Sequence, residues 1–178
     1  MQKIIVNGKE IETCKSGKLL GLNITSTGFT SHISKTMNKG KGILCQLRRF
    51  SNLTPKMKTT LVKTLLISVM EYPSIPICMA SKTQQRKMQT ILNKAVRFIH
   101  CKEEEYLNTK QLHQKYNITP LNISNYNKAI KTWDTIRTSE PEQYEILTTA
   151  RENSHTWFPK CSKIINMAPP PAIITTLT

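Results

Sequence analysis

Carboxylates are what this chain has least of. Across 178 residues, 11 Asp and Glu stand against 26 Lys and Arg, and a single aspartate, Asp134, is present. Two-metal phosphoryl transfer needs several carboxylates converging on hard cations, so no polymerase or nuclease centre is expected within the chain. Cysteines are few and unpaired in pattern: Cys14, Cys45, Cys78, Cys101 and Cys161 are odd in number and form no CxxC. That spacing argues against a zinc ribbon or a disulfide framework and for reduced thiols. His32, His100, His113 and His155 lack a nucleophile signature. His100-Cys101 with His113 lacks the fourth ligand and the paired spacing of a metal site. Gly40-Lys41-Gly42 fits neither a P-loop nor a dinucleotide fingerprint, and it reads as a helix irregularity. Catalytic residues, metal ligands, a cofactor and a small-molecule substrate are therefore all expected to be absent. No long apolar run or signal segment occurs, which with the reduced thiols predicts an intracellular protein, nuclear or cytoplasmic, without a membrane partner. The sequons at Asn23, Asn52, Asn117 and Asn122 then read as chance in an Asn- and Thr-rich chain.

Positive charge is abundant, and it is unevenly placed. Met1 to His100 hold 17 Lys/Arg and 3 acids (Glu10, Glu12, Glu71), net +14, whereas Cys101 to Thr178 hold 9 and 8, net +1. A charge of one sign this large repels itself unless a polyanion is near, and nucleic acid is the simplest partner. The Glu103-Glu104-Glu105 run reads as a solvated acidic patch rather than a cation site, because adjacent helix positions point apart.

The pattern of apolar residues predicts a mainly α chain with a short β segment at its start. Asn7-Gly8 between short apolar runs predicts a hairpin, and Leu19 to Ile24 reads as a further strand at the edge of the same small sheet. From Thr30 the period changes to that of a helix, with Ile33, Met37, Gly40, Leu44, Leu47 and Phe50 inward and Lys35, Lys39, Gln46 and Arg49 outward. Thr54-Pro55 opens a second helix with Leu61, Val62, Leu65, Leu66 and Val69 as its buried stripe, and Pro73 and Pro76 stop it. A third runs from Lys82 to His100, with Met88, Ile91, Leu92, Ala95 and Ile99 inward and Arg86, Lys87, Lys94 and Arg97 outward. Short connections predict a three-helix bundle. A short helix near Asn108 to Lys115 and a longer one near Ser124 to Arg137 follow, the latter with Tyr126, Ile130, Trp133 and Ile136 as its apolar positions. The divisions expected are 1–28, 29–101, 102–140 and an irregular or disordered tail, 141–178, containing Pro169-Pro170-Pro171. Trp133 and Trp157 are aromatic enough to stack on bases, but Trp133 sits on an apolar face and reads as core.

The outward cations carry the functional reading. Lys and Arg at helical spacing neutralise successive phosphates and release counterions, without reading sequence. A solvated face is the ordinary explanation for a mixed-charge helix; here acids are nearly absent over a hundred residues, which favours nucleic acid.

Several strings resemble, in order, the region downstream of the polymerase palm in jockey-like non-LTR retrotransposon reverse transcriptases. MQTILNKAVRFIH from Met88 is similar to that family's Leu-Gln-x-x-Gln-Asn-Lys-Ala-Leu-Arg segment, KLLGLNIT from Lys18 to its Lys-Tyr-Leu-Gly strand, and TLVKTLLISVMEYPSIPI from Thr60 to the helix that follows. LHQKYNITPLN from Leu112, NKAIKTWDTI from Asn127 and HTWFPK from His155 resemble the tail behind the thumb. The resemblance implies a palm edge over Met1 to Thr25, with Leu20 and Gly21 near the primer end, and a thumb over Thr30 to His100. It also implies a template–primer duplex as partner, gripped by Lys35, Lys39, Arg49, Arg86, Lys87, Lys94 and Arg97, together with the palm and fingers of a parent polymerase. Leu19 and Thr25 stand where the family has Tyr and Asp, and the palm's Tyr/Phe-Ala-Asp-Asp motif is absent. The parent enzyme would hold a divalent metal such as Mg on that motif. The chain is thus expected to be a polymerase fragment, inactive alone, that binds duplex. The alternative is a stand-alone or domesticated basic nucleic-acid-binding module, and a third reading is adhesion to an anionic membrane.

Overall fold

The computed structural model describes residues 4–6, 9–11, 14–25, 28–72, 74–78, 80–101 and 105–142. The described part is mainly helical and begins with antiparallel β-hairpins. Strands β1 (Ile4–Val6) and β2 (Lys9–Ile11) pair with Val6 opposite Lys9. The turn pair expected between them, Asn7-Gly8, lies outside the described residues, as do Pro73, Glu103, Glu104, Trp157, Cys161 and the expected tail from residue 143 onward.

The expected single strand over Leu19 to Ile24 is instead a second hairpin. Strand β3 (Ser16–Leu19) pairs with β4 (Leu22–Thr25), and the turn falls on Leu20 and Gly21. Both turn residues have positive φ, 46° and 82°, which is the backbone of a tight primed turn whose twist suits paired strands. An apolar run conceals such a turn because Gly21 alone signals it. The two hairpins form separate two-stranded sheets rather than one edge.

Helix α1 (Thr30–Leu47) passes through Gly40 and Gly42 without a break. The expected irregularity is a packing device: a Cβ on Gly40 would meet Met70 Sδ at 3.3 Å and Leu66 Cδ1 at 3.6 Å. Removal of that Cβ lets two backbones approach, at the helix cost of a glycine, roughly 1 kcal/mol. Beyond Leu47 the chain tightens to a 3₁₀ turn, Arg48–Phe50, with fewer residues per turn than the stripe assumed. Phe50, expected inward, is therefore exposed.

Helix α2 (Pro55–Leu61) starts as expected, with Thr54 Oγ1 accepting from Met57 N at 3.4 Å and Pro55 in the first turn. It widens into a π-helical segment, Val62–Ile67, and returns to α-helix in α3 (Ser68–Glu71). The buried residues Lys58, Val62, Leu66 and Met70 recur every fourth position. In a regular α-helix such a row drifts about 40° per step, and the wider turns bring it back toward one face. Leu65, expected inward, is consequently exposed. Pro76 does not stop a helix; it is buried within the short α4 (Ser74–Cys78).

Helix α5 (Lys82–His100) has the expected bounds and opens on a capping box, Ser81 Oγ accepting from Gln84 N and Ser81 N donating to Gln84 Oε1. It packs against α1, α2, the π segment, α6 (Thr109–Lys115) and α7 (Leu121–Ser139). Met88, Ile91, Leu92, Ala95 and Ile99 are buried as expected, and so are Gln89, Asn93, Val96 and Phe98. The additional burial follows from helices on more than one side. Full burial of residues such as Leu92 and Val96 is worth about 1.5–3 kcal/mol each. One core takes in side chains from Ile33 to Leu121. Where α5, α6 and the start of α7 meet, polar groups satisfy one another: Gln89 Oε1 accepts from Leu121 N, Gln89 Nε2 donates to Asn93 Oδ1, and His113 lies 2.9 Å from Asn93 Oδ1 and 2.8 Å from the Ile118 carbonyl.

Helix α7 starts earlier than expected and turns a different face inward. Asn122, Asn125, Ala129 and Trp133 are buried, while Tyr126, Ile130 and Ile136 lie half-buried at the rim. The small Ala129 sits centrally on that face, α7 packs on α4, and Trp133 is core as expected.

Candidate nucleic-acid interface

Helix α5 is the most enclosed helix, yet one strip of it faces solvent. Its exposed residues are Lys82, Thr83, Arg86, Lys87, Lys94 and Arg97, five cations and a threonine. From Arg86 to Arg97 the cations extend over about three turns, and at 100° per residue they fall within a strip about 100° wide. Arg97 is partly fixed, its guanidinium donating to Thr109 Oγ1 at 3.1 Å. Arg86, Lys87 and Lys94 are engaged by no carboxylate among the described residues.

Lys35, Lys39 and Arg49 are exposed as expected. Lys35 is tied into the hairpin: its ammonium donates to Asn23 Oδ1 at 3.1 Å, while Asn23 N donates to His32 Nδ1 at 3.3 Å. That bond requires the His32 imidazole to be neutral at Nδ1. Burial, then the nearby Lys35 charge, pushes the His32 pKa down and so favours the same form. Burial likewise lowers His113, opposed by its hydrogen bond to Ile118. Helices α1 and α5 pack directly on each other, so both cationic strips are carried by one packed pair of helices.

Leu20 and Gly21, assigned by resemblance to the primer-end region, form the tip of the second hairpin. Leu20 is 83% exposed, and its carbonyl accepts from Tyr72 Oη at 2.7 Å, which fastens the tip to the end of α3. The contact joins residues far apart in sequence, so no local signal announces it.

Along the helices from α1 to α5, exposed cations beyond the expected set are Lys41, Arg48, Lys56, Lys63 and Lys82. Each lies off the regular stripe or at a helix end, where a wheel drawn from sequence is least reliable. Glu71 is the only acid between Cys14 and Cys101, and it is consumed internally: Lys128 binds Oε2 at 2.5 Å and Ser124 donates to Oε1. Among the described residues, the exposed cations from Cys14 to Cys101 are therefore paired with no carboxylate.

Among the described residues no three His, Cys, Asp or Glu side chains are grouped to hold a metal ion. His100 bonds Tyr116 Oη and the Glu105 carbonyl, and His113 belongs to the buried network. Burial pushes the Cys78 thiol up to about 11, which keeps it protonated near neutral pH. A cleft of about 560 Å³ between α3 and α7 is lined by Ser68, Tyr72, Thr132 and Lys131, with Glu71 and Lys128 spent on each other. No described helix is long and apolar enough to cross a membrane. A scan against protein-family models matches no family, and searches of curated proteins and of solved structures return no match.

Proposed function

We propose that this chain binds the backbone of a nucleic-acid duplex without reading its sequence, in the manner of a reverse-transcriptase thumb with its flanking segments, and joins no nucleotides itself. One observation carries the reading: every solvent-exposed residue of α5, the helix its neighbours enclose most, is a lysine, an arginine or Thr83. Stability does not require this, since a few Glu residues at i, i+4 would stabilise such a helix. Phosphates reward it. The ordered resemblance to non-LTR retrotransposon polymerases supports a template–primer duplex as the partner, with the carboxylates and metal supplied by a palm absent from this sequence. A stand-alone module is the second reading, favoured by the single core cluster that runs from Ile33 to Leu121 among the described residues.

Titration of fluorescent RNA–DNA and DNA–DNA duplexes of several sequences tests the proposal. The expected result is affinity that falls steeply with salt and varies little with sequence, and no nucleotide incorporation. Failure to bind either duplex, or displacement of duplex by anionic vesicles, overturns it. Addition of an upstream palm and fingers in trans separates the two readings, because only a thumb raises their primer extension.

A further inference from the structure

Lys58 heads the row of buried residues spaced by four, and it is 1% exposed. Its ammonium donates to the Cys101 carbonyl at 3.3 Å, lies 3.6 Å from Cys101 Sγ and sits 5.4 Å from the centre of the Phe98 ring. No carboxylate reaches it among the described residues. The buried cation is thus held by the negative end of α5, by a ring face and by a thiol. Cys101 itself is exposed, at the point where the backbone leaves α5 with φ −59° and ψ 126°. The exposed Cys101 is thus open to solvent oxidants, and the Lys58 nitrogen is held 3.6 Å from its sulfur.

We propose that Lys58 and Cys101 form an oxidative cross-linking site. A hydroperoxide takes two electrons from the Cys101 thiol, giving sulfenic acid and, with hydrogen peroxide, one water. Sulfenic acids condense with a nitrogen held beside them. Lys58 Nζ first releases one proton to solvent, because an ammonium has no lone pair; the amine then attacks Sγ, the S–N bond forms and the S–O bond breaks. The departing oxygen leaves as water with a second proton from the nitrogen. The product is a sulfenamide joining α2 to the end of α5, two hydrogens lighter than the reduced chain, and an added thiol reverses it by supplying two electrons. The flexible lysine stem and the exposed turn at Cys101 accommodate the approach. The link abolishes a buried charge and pins two helices of the bundle, so oxidation would rigidify the framework that carries the basic strips. The site stands independently of any nucleic-acid partner.

The test treats the full chain with hydrogen peroxide, blocks free thiols, unfolds it and maps its peptides by mass. The expected result is one linked species joining the Lys58 and Cys101 peptides, loss of tryptic cleavage after Lys58, and restoration of both by dithiothreitol. Cys14 and Cys45, also exposed, serve as internal comparisons and are expected to form no lysine link. Cys101 recovered as a disulfide, as sulfinic acid or as the free thiol while Cys14 and Cys45 have reacted overturns the proposal. Lys58→Met, which keeps an apolar stem in the same space, is expected to leave Cys101 oxidisable and unlinked; a link to another lysine in that variant counts against the site. Where the variant does not fold, mapping of the unaltered chain decides by itself.

Discussion

Replacement of Arg86, Lys87 and Lys94 together by Gln removes three cations from α5 without touching its core. All three are exposed and bound by no described carboxylate, so folding stability should change by no more than about 0.5 kcal/mol per site. Each phosphate contact contributes roughly 0.9 to the slope of log affinity against log salt on B-form DNA. Loss of three should flatten the slope by about 2.7. Between about 50 and 200 mM salt, a fourfold range, the unaltered chain should therefore lose roughly fortyfold more affinity than the variant. Fluorescence anisotropy over that range, with a thermal melt to confirm folding, reads both quantities. Lys110→Gln with Lys131→Gln and Arg137→Gln, exposed cations of α6 and α7, is the charge-matched control and should leave the slope nearly unchanged. Equal slopes for the α5 variant and the unaltered chain would refute the assignment of this strip to phosphates.

Acidification should loosen the second hairpin, because the folded pKa of His32 lies below its ordinary value and the folded state binds fewer protons there. The stabilisation is present above about pH 6.5 and is lost as pH falls through the lowered folded value; a falling protection factor at Asn23 N–H, taken against the intrinsic exchange rate at each pH, checks it. Glu71→Gln removes the ion pair to Lys128 and should cost about 1 kcal/mol in denaturant unfolding, with Lys128→Met adding little on top. Gly42→Ala, with nothing near its Cβ, should stabilise by roughly 1 kcal/mol, whereas Gly40→Ala should yield no gain because Met70 and Leu66 occupy the space. A urea midpoint series on both glycine variants distinguishes them.

Sequence and structure agree most closely where a single local rule governs. The Thr54-Pro55 start and the buried stripe of α5 are each a short pattern with one physical cause, and α5 runs from Lys82 to His100 as its periodicity predicts. Disagreement begins where the helical pitch departs from 3.6 residues per turn. The 3₁₀ turn after Leu47 carries Phe50 outward, and the π segment turns Leu65 out while Leu66 stays in the buried row. Spacing by four at Lys58, Val62, Leu66 and Met70 was available in the sequence, but a lysine at its head disguises it as a surface pattern. Contacts between distant residues were not legible at all: Tyr72 to Leu20, Glu71 to Lys128 and Lys58 to Cys101 depend on the packing of whole elements. Of the candidate site, exposure of the cations was readable from periodicity. Their freedom from carboxylates depended also on Glu71 being drawn inward.

The electrostatics of the bundle argue for a cause outside it. On α5, Arg86, Thr90 and Lys94 stand at i, i+4 and i+8, positions at which Glu–Lys pairs would each contribute about 0.2–0.5 kcal/mol, and acids are absent from both α5 and α1. Like charges along one strip repel instead, so the fold tolerates a field that lowers its own stability. The core can bear this because α5 keeps charge off its inner face: Leu92, Val96 and Ile99 are fully buried and apolar, and the buried cation Lys58 is set where a helix end receives it. Selection for stability alone would have interspersed acids on the exposed strip, where substitution disturbs nothing beneath. Their absence there, beside the sequestration of Glu71, is what a surface shaped to meet a polyanion requires.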